Sequence, residues 1–228
     1  MLLSMNANLR PVWFKDDSAL AVNEIFDSIE GEGKRAGELA TFIRLTGCNL
    51  RCSYCDTAYA FAEKRMMSLQ DILARVHYPA VTLTGGEPLL QNVRPLLEAL
   101  KSHTVNVETN GSIDISRYFD LDNVFFTVDF KCGTSGETSK MLPYNFKHLR
   151  KRDVLKFVVG SYEDLVQAKN LYLFHYDNLR NRQIFVSPVF GQIEPAEIVD
   201  FLKAEGLRKW RIQLQLHKFI WDPEKRGV

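Results

Sequence analysis

Cys48, Cys52 and Cys55 stand as C-x3-C-x2-C, three thiols within eight positions, while Cys132 stands alone. Cysteines this close cannot staple distant loops, so they speak against a disulfide framework and for a reducing compartment. A structural zinc site closes four ligands, often as two separated pairs, and the nearest histidine, His77, lies beyond a predicted helix. Three thiolates on one short loop suit a [4Fe-4S] cluster, whose fourth iron is then open to a substrate or cofactor. Two other readings stand beside it: three cysteines that are simply buried, or a zinc ion that recruits a distant ligand such as Cys132.

The elements that must position this loop follow from periodicity. Short β-branched or aromatic runs predict strands at Ala40 to Leu45, Ala80 to Leu83, Thr104 to Glu108, Val124 to Val128, Val154 to Val159, Gln183 to Ser187 and Arg211 to Gln215. Between them, Ser68 with Asp71 caps a helix over Leu69 to Val76, Pro95 opens one ending near Lys101, Tyr162 to Phe174 forms another, and Pro195 precedes Ala196 to Ala204 before Gly206. This alternation predicts an α/β fold with a mainly parallel sheet. At ~30 residues per strand-helix unit the span allows about six units, so the expectation is an incomplete (partial) TIM-type barrel. Residues 1–22 read as a leader and 23–228 as one domain. Nearly every unusual polar or glycine cluster follows a predicted strand: Cys48 to Cys55, Thr84 to Pro88, Glu108 to Gly111, Asp129 to Lys131, Ser187 with Pro188, and Gln215 with His217 and Lys218. In parallel α/β folds sites are built on that face.

Composition bounds the partners. The chain has 228 residues, 46% hydrophobic and 25% charged, which excludes disorder as its main state. Its 29 basic and 28 acidic residues argue against a large basic face for nucleic acid. Met1 to Asn6 is followed by Arg10, Lys15, Asp16 and Asp17 with no apolar stretch, so no signal peptide or membrane anchor is expected and the cytoplasm is the expected location.

The cysteine loop followed by Gly85-Gly86-Glu87-Pro88 resembles the radical S-adenosylmethionine (SAM) enzymes. The flanks, Glu24 to Gly33 (EIFDSIEGEG), Ala40 to Gly47 (ATFIRLTG), Cys55 to Tyr59 (CDTAY), Gln215 to Lys218 and the terminal Arg226-Gly227-Val228, resemble the 7-carboxy-7-deazaguanine synthase family over residues 22–228. The resemblance implies a lyase of queuosine biosynthesis that contracts 6-carboxy-5,6,7,8-tetrahydropterin to 7-carboxy-7-deazaguanine with loss of ammonia. A [4Fe-4S] cluster, SAM and Mg²⁺ are the implied cofactors, with a flavodoxin or ferredoxin as electron donor and a homodimer as the assembly. Glycyl-radical activating enzymes share the cysteine spacing, but they do not account for EIFDSIEGEG, Arg44 or the QLHK segment.

Residue by residue, the resemblance puts Cys48, Cys52 and Cys55 on the cluster and Thr57 on Mg²⁺. Gly86, Glu108, Asp129, Phe130, Lys131, Ser187, Pro188, Val189 and Phe190 fall on SAM, with Val189 and Phe190 packing on adenine. Glu87 is expected to accept from the methionyl ammonium. Ile29, Glu30, Gly31, Arg44, Thr84 and the Val228 carboxylate fall on the substrate, and an arginine fork suits its carboxylate. His217 and Lys218 either orient the substrate or serve structure. Two positions depart from the family pattern: Glu30 replaces a Gln, and Asp129-Phe130 replaces Ser-Pro before the lysine. Glu30 would still accept from the pterin's amino edge.

Overall fold

The structure, a computed structural model, describes residues 19–228. The predicted absence of a signal peptide or anchor concerns residues 1–18, which lie outside the described residues. Among the described residues one sheet holds nine strands, in the order β3-β1-β2-β4-β5-β6-β7-β8-β9. They are β1 (Ala19–Ile29), β2 (Leu39–Leu45), β3 (Arg65–Ser68), β4 (Ala80–Gly85), β5 (Thr104–Thr109), β6 (Val124–Lys131), β7 (Val154–Val159), β8 (Gln183–Pro188) and β9 (Trp210–Ile212). The helices are α1 (Leu69–Leu73), α2 (Arg94–Ala99), α3 (Asn145–His148), α4 (Tyr162–Phe174), α5 (Tyr176–Leu179), α6 (Pro195–Ala204) and α7 (His217–Ile220). No helix among the described residues is long and apolar enough to cross a membrane.

From β2 through β9, β3 aside, neighbours pair in parallel, while β1 runs antiparallel to both β2 and β3. The sheet stays open, as expected of a partial barrel. Each predicted strand is present, the last shifted to Trp210–Ile212, and Tyr162–Phe174 is helical at both predicted ends. Asp71 and Asp164 donate their backbone N–H to the Ser68 and Ser161 hydroxyls, capping α1 and α4. Sequence reading missed β1 and β3. Ala19 to Val22, assigned to the leader, begin β1, whose EIFDSI run also carries motif residues. A bulge between Val22 and Glu24 shifts the register of β1, so that Val22 lies beside Leu45 and Glu24 beside Arg44.

The two faces of the sheet differ in chemistry. One carries Ile43, Leu83, Val107, Phe126, Val128, Leu155 and Ile184, all buried in the apolar core. Parallel sheets are ordinarily apolar on both faces. Here the opposite, concave face mixes Phe42, Phe125, Phe185 and Val158 with polar and charged residues: Arg44 sits beside Thr84, Thr82 beside Asn106, Glu108 beside Thr127, and Asp129 beside Lys156.

The loop joining β1 to β2, residues 30–38, crosses that concave face. Arg35 donates to the carbonyls of Val81 at 3.0 Å and Thr104 at 2.9 Å, to Thr82, and to the carboxylate of Glu30. Lys34 donates to the Arg152 carbonyl at 2.8 Å with its ammonium 3.5 Å from the Phe125 ring centroid. On the far side, Gln213 donates to the Gly33 carbonyl at 2.8 Å and the Leu216 N–H to the Gly31 carbonyl at 3.0 Å. Strands that share no ladder are thereby tied through one loop.

Glu30 and Arg35 are 1% and 8% exposed, so removing one partner strands a buried charge, a loss of about 3 kcal/mol or more. Thermal melts of Arg35→Leu should therefore fall roughly 10 °C below the parent, at about 2–4 °C per kcal/mol for a chain this long. Glu30→Gln/Arg35→Leu should melt between the two. A double variant no better than the single one would assign the effect to Arg35's carbonyl contacts instead of the ion pair.

Candidate functional site

Three features converge at the strand ends: the cysteine loop after β2, the turn after β4 and the charged row inside the sheet. The turn clamps the loop. Gly86 N–H donates to the Leu45 carbonyl at 3.2 Å and Glu87 N–H to the Gly47 carbonyl at 2.7 Å. A Cβ on Gly86 would come 2.2 Å from the Gly47 oxygen and 2.8 Å from Cys48 Cβ, so only glycine allows this approach. Glu87 is buried, and its carboxylate accepts from the Thr109 hydroxyl, the Asn110 N–H at 2.6 Å and the Leu89 N–H at 3.0 Å. Burial raises its pKa to about 7. Those donors reach both oxygens, so Glu87 braces the turn against β5.

All four cysteines are free thiols, with Cys48, Cys52 and Cys55 half-buried and Cys132 buried. Burial pushes the Cys48 and Cys52 thiols up, so ligation has to displace protons. Among the described residues no three His, Cys, Asp or Glu side chains close around a point fit for a single metal ion. One zinc ion, with Zn–S of about 2.3 Å, needs its sulfurs within about 4 Å of one another. A [4Fe-4S] cluster places each thiolate on a different iron and so does not require the three sulfurs to close around one ion. The Leu50 N–H, 3.4 Å from Cys48 Sγ, and the Asn110 amide, 3.8 Å from it, supply the N–H···S contacts that tune cluster sulfurs. Between Cys52 and Cys55 the Tyr54 hydroxyl is buried with no hydrogen-bond partner, a polar atom pointing to a further group at this loop. Asn110 was missed in the sequence, where Thr109-Asn110-Gly111 reads as a turn.

Inside the sheet, Arg44 bonds Glu24 through Nε at 2.7 Å, and its two terminal nitrogens have no partner among the described residues. Tyr59 donates to the same Glu24 oxygen at 3.1 Å. Thr84 donates to Glu108 at 3.0 Å. Burial lifts Glu108 to about 7, and Glu30, Glu32 and Asp129 add to the rise while Lys156 opposes it. Glu108, assigned to SAM by resemblance, is bonded to Thr84, assigned to substrate, and also lies near Asp129, assigned to SAM. Asp129 pairs with Lys131 at 2.8 Å and with Lys156 at 3.1 Å; despite burial, the two ammonium groups hold its carboxyl below the usual range. The Glu30 carboxylate, expected at the pterin edge, is taken up by Arg35 and Thr82, while the Glu30 N–H and carbonyl bond to Glu38 and Gly37 and the Gly31 carbonyl accepts from Leu216.

Of the stretches assigned to SAM, Ser187 faces the interior and is buried, and the Val189 N–H donates to the Val159 carbonyl at 2.7 Å. Phe130 does not face inward. Its ring packs against Phe146 and Phe157 on the helix side, 6.0 and 5.8 Å between centroids, so only its backbone can meet a ligand in the interior. Pro188 follows on the helix-facing side of β8, and Phe190 is exposed beside Phe219, 6.3 Å between centroids. The Thr57 hydroxyl donates to Asp56 at 2.9 Å, and Asp56 pairs with Lys218 at 3.3 Å. Although burial works the other way, Lys218 and Thr57 hold Asp56 below its usual range. His217 packs so closely on Gly31 that a Cβ there would lie 2.3 Å from Nδ1; burial lowers its pKa, leaving the imidazole neutral near pH 7. Arg226 stacks 3.7 Å over the Tyr59 ring, which brings the Val228 end to the Glu24–Arg44 pair.

The radical SAM superfamily model matches residues 42–135, the span from β2 to the turn after β6. A 7-carboxy-7-deazaguanine synthase of Clostridium acetobutylicum is 43% identical over 218 residues, covering 91% of this chain and 98% of that protein. Another, from Chlorobaculum tepidum, is 38% identical over 221 residues, covering 93% and 99%. The crystal structure of QueE from Escherichia coli superposes with a TM-score of 0.69 at 24% identity over 86% of this chain and 94% of that one, a likeness of fold. With its cysteine loop, the paired charges of its concave face and relatives matched end to end, the chain belongs to the 7-carboxy-7-deazaguanine synthase family of radical SAM lyases, enzymes of deazapurine biosynthesis.

Proposed function

We propose that this chain contracts 6-carboxy-5,6,7,8-tetrahydropterin to 7-carboxy-7-deazaguanine with release of ammonia. The observation that carries the reading is an interior lined with paired charges, where Arg44, held by Glu24 through Nε, lies beside Thr84 with its two terminal nitrogens free of hydrogen bonds among the described residues. When bound, a [4Fe-4S] cluster and SAM supply one-electron reduction and a carbon-centred radical. Cys48, Cys52 and Cys55 hold the cluster. Gly86, the Asp129 to Lys131 backbone and the Ser187 to Phe190 stretch form the SAM wall.

Arg44 takes the substrate carboxylate on its two free nitrogens, while Glu24 fixes the guanidinium plane through Nε. The backbone of Ile29 to Gly31, the Thr84 hydroxyl and the Val228 carboxylate complete the substrate wall. Glu108, neutral or charged at small cost near pH 7, can hold or release a proton at its carboxyl oxygen as the ring rearranges. Thr57 keeps lone pairs free after donating to Asp56, and contributes one oxygen to Mg²⁺ held otherwise by substrate and water. We also place the protein in the cytoplasm as a homodimer, reduced by a flavodoxin or ferredoxin.

Anaerobically reconstituted protein given substrate, SAM, Mg²⁺ and dithionite should form the deazaguanine chromophore; an intact cluster with no product would overturn the reading. Cys52→Ala should lose both cluster absorbance and turnover. Arg44→Ala should raise KM roughly 10- to 100-fold, the range for one charge-assisted hydrogen bond of about 1.5–3 kcal/mol, with SAM binding unchanged. An Arg44→Ala KM equal to the parent's would remove this residue from the carboxylate site.

A further inference from the structure

Lys156 is the charged residue of an apolar strand, Val-Leu-Lys-Phe-Val-Val, outside the motifs described above. Its side chain is 8% exposed and faces the concave interior, where Asp129 lies beside it in register. Its ammonium reaches Glu32 at 2.6 Å and Asp129 at 3.1 Å. Glu32 belongs to the loop that crosses the interior, and its second oxygen accepts from the Gln215 amide at 2.6 Å. One carboxylate therefore joins β7 to the segment after β9.

The interior holds five carboxyl groups in contact with one another's surroundings: Glu24, Glu30, Glu32, Glu108 and Asp129. Four of them have a cationic partner. Arg44 pairs with Glu24, Arg35 with Glu30, Lys131 with Asp129, and Lys156 with both Glu32 and Asp129. Glu108 has the Thr84 hydroxyl and the nearby charge of Lys156. Removing Lys156 would leave Glu32 without a cation and add a net negative charge where an acidic ligand has to enter.

We propose that Lys156 is a positioning residue for the substrate, pinning the Glu30 to Gly33 loop to the end of β6 through Glu32 and Asp129 and limiting the negative charge of the cavity that an acidic ligand enters. This inference rests on the proposed pterin chemistry. Burial by itself would lower the lysine's pKa, but Asp129, Glu32 and Glu108 more than offset it and keep the ammonium charged. The groups facing it are Glu32 from the loop, Glu108 from β5, and Asp129 and Lys131 from β6, with His217 next to Glu32 on the closing segment.

The test compares Lys156→Met and Lys156→Arg with the parent in the reconstituted holoenzyme. Lys156→Met should raise the substrate KM at least tenfold and shift the acidic limb of the kcat/KM profile to higher pH, as Glu108 loses the charge that lowers it. Iron content and substrate-independent reductive cleavage of SAM should stay at the parent level. Lys156→Arg, which keeps the charge, should recover most of the KM. An unchanged KM in folded Lys156→Met, an arginine variant no better than the methionine one, or equal losses of iron, SAM cleavage and substrate affinity would each overturn the proposal. Should the methionine variant fail to fold, Lys156→Gln, which keeps a donor and drops the charge, must show the same rise in KM. A parent enzyme that cleaves SAM yet leaves the pterin unchanged would defeat the functional reading, an outcome separate from any difference among the variants.

Discussion

A charge taken out of water must find a partner, because an isolated buried ion costs several kcal/mol even after relaxation. That constraint governs the concave face of this sheet. Strands β2 to β7 place Arg44, Glu108, Asp129, Lys131 and Lys156 on one side, and the ladder alone cannot bring together residues on strands that do not neighbour each other. The loop between β1 and β2 does so. It delivers Glu30, Glu32 and Arg35 into the interior, and the side chains it carries meet β4, β5, β7 and the segment after β9. An open sheet with an apolar outer face and unpaired inner charges would be unstable, whereas this loop satisfies the inner face and still leaves it accessible from the strand ends.

The same constraint accounts for how the interior accommodates two further carboxylates, Glu30 and Asp129. A glutamate at position 30 requires a buried cation, and Arg35, five residues on in the same loop, provides it. An aspartate at position 129 requires the same, and it has two, Lys131 on its own strand and Lys156 across the ladder. In each case the buried carboxylate is tied to a neighbouring base.

Much of the fold was legible because strand and helix periods are local. Val154 to Val159 and Tyr162 to Phe174 matter to their neighbours chiefly through an apolar face, and that face is written in the spacing of their residues. β1 escaped notice because its residues serve two demands. Glu24, Asp27 and Ser28 interrupt the apolar run, and the bulge at Val22 to Glu24 breaks strict alternation. The thiols, Arg44 and Thr84 could be found from residue type and position after a strand. Lys156 could have been found by the same argument that found Arg44, a lone charge within an apolar strand. Glu32, Asn110 and the long-range neighbours of Glu87 and Glu108 could not, since their roles depend on partners 22 to 183 positions away.

Distance along the chain also shapes how the site holds together. Glu24 and Arg44 lie near one end of the described sequence and Arg226 near the other, yet Tyr59 links them, donating to Glu24 while Arg226 stacks on its ring. Leu216 and Gln215 hold the returning segment to Gly31 and Glu32, and the small size of Gly31 admits the His217 imidazole. Such contacts close the cavity without a continuous ladder, so the strand order can stay open. A barrel closed by a continuous hydrogen-bonded ladder would fix the cavity's width by its strand number. Here the width is set by side-chain contacts between the two ends of the chain, and a polar ligand that bridges Arg44, the Gly31 backbone and the C-terminal segment would tighten the very contacts that define its own site.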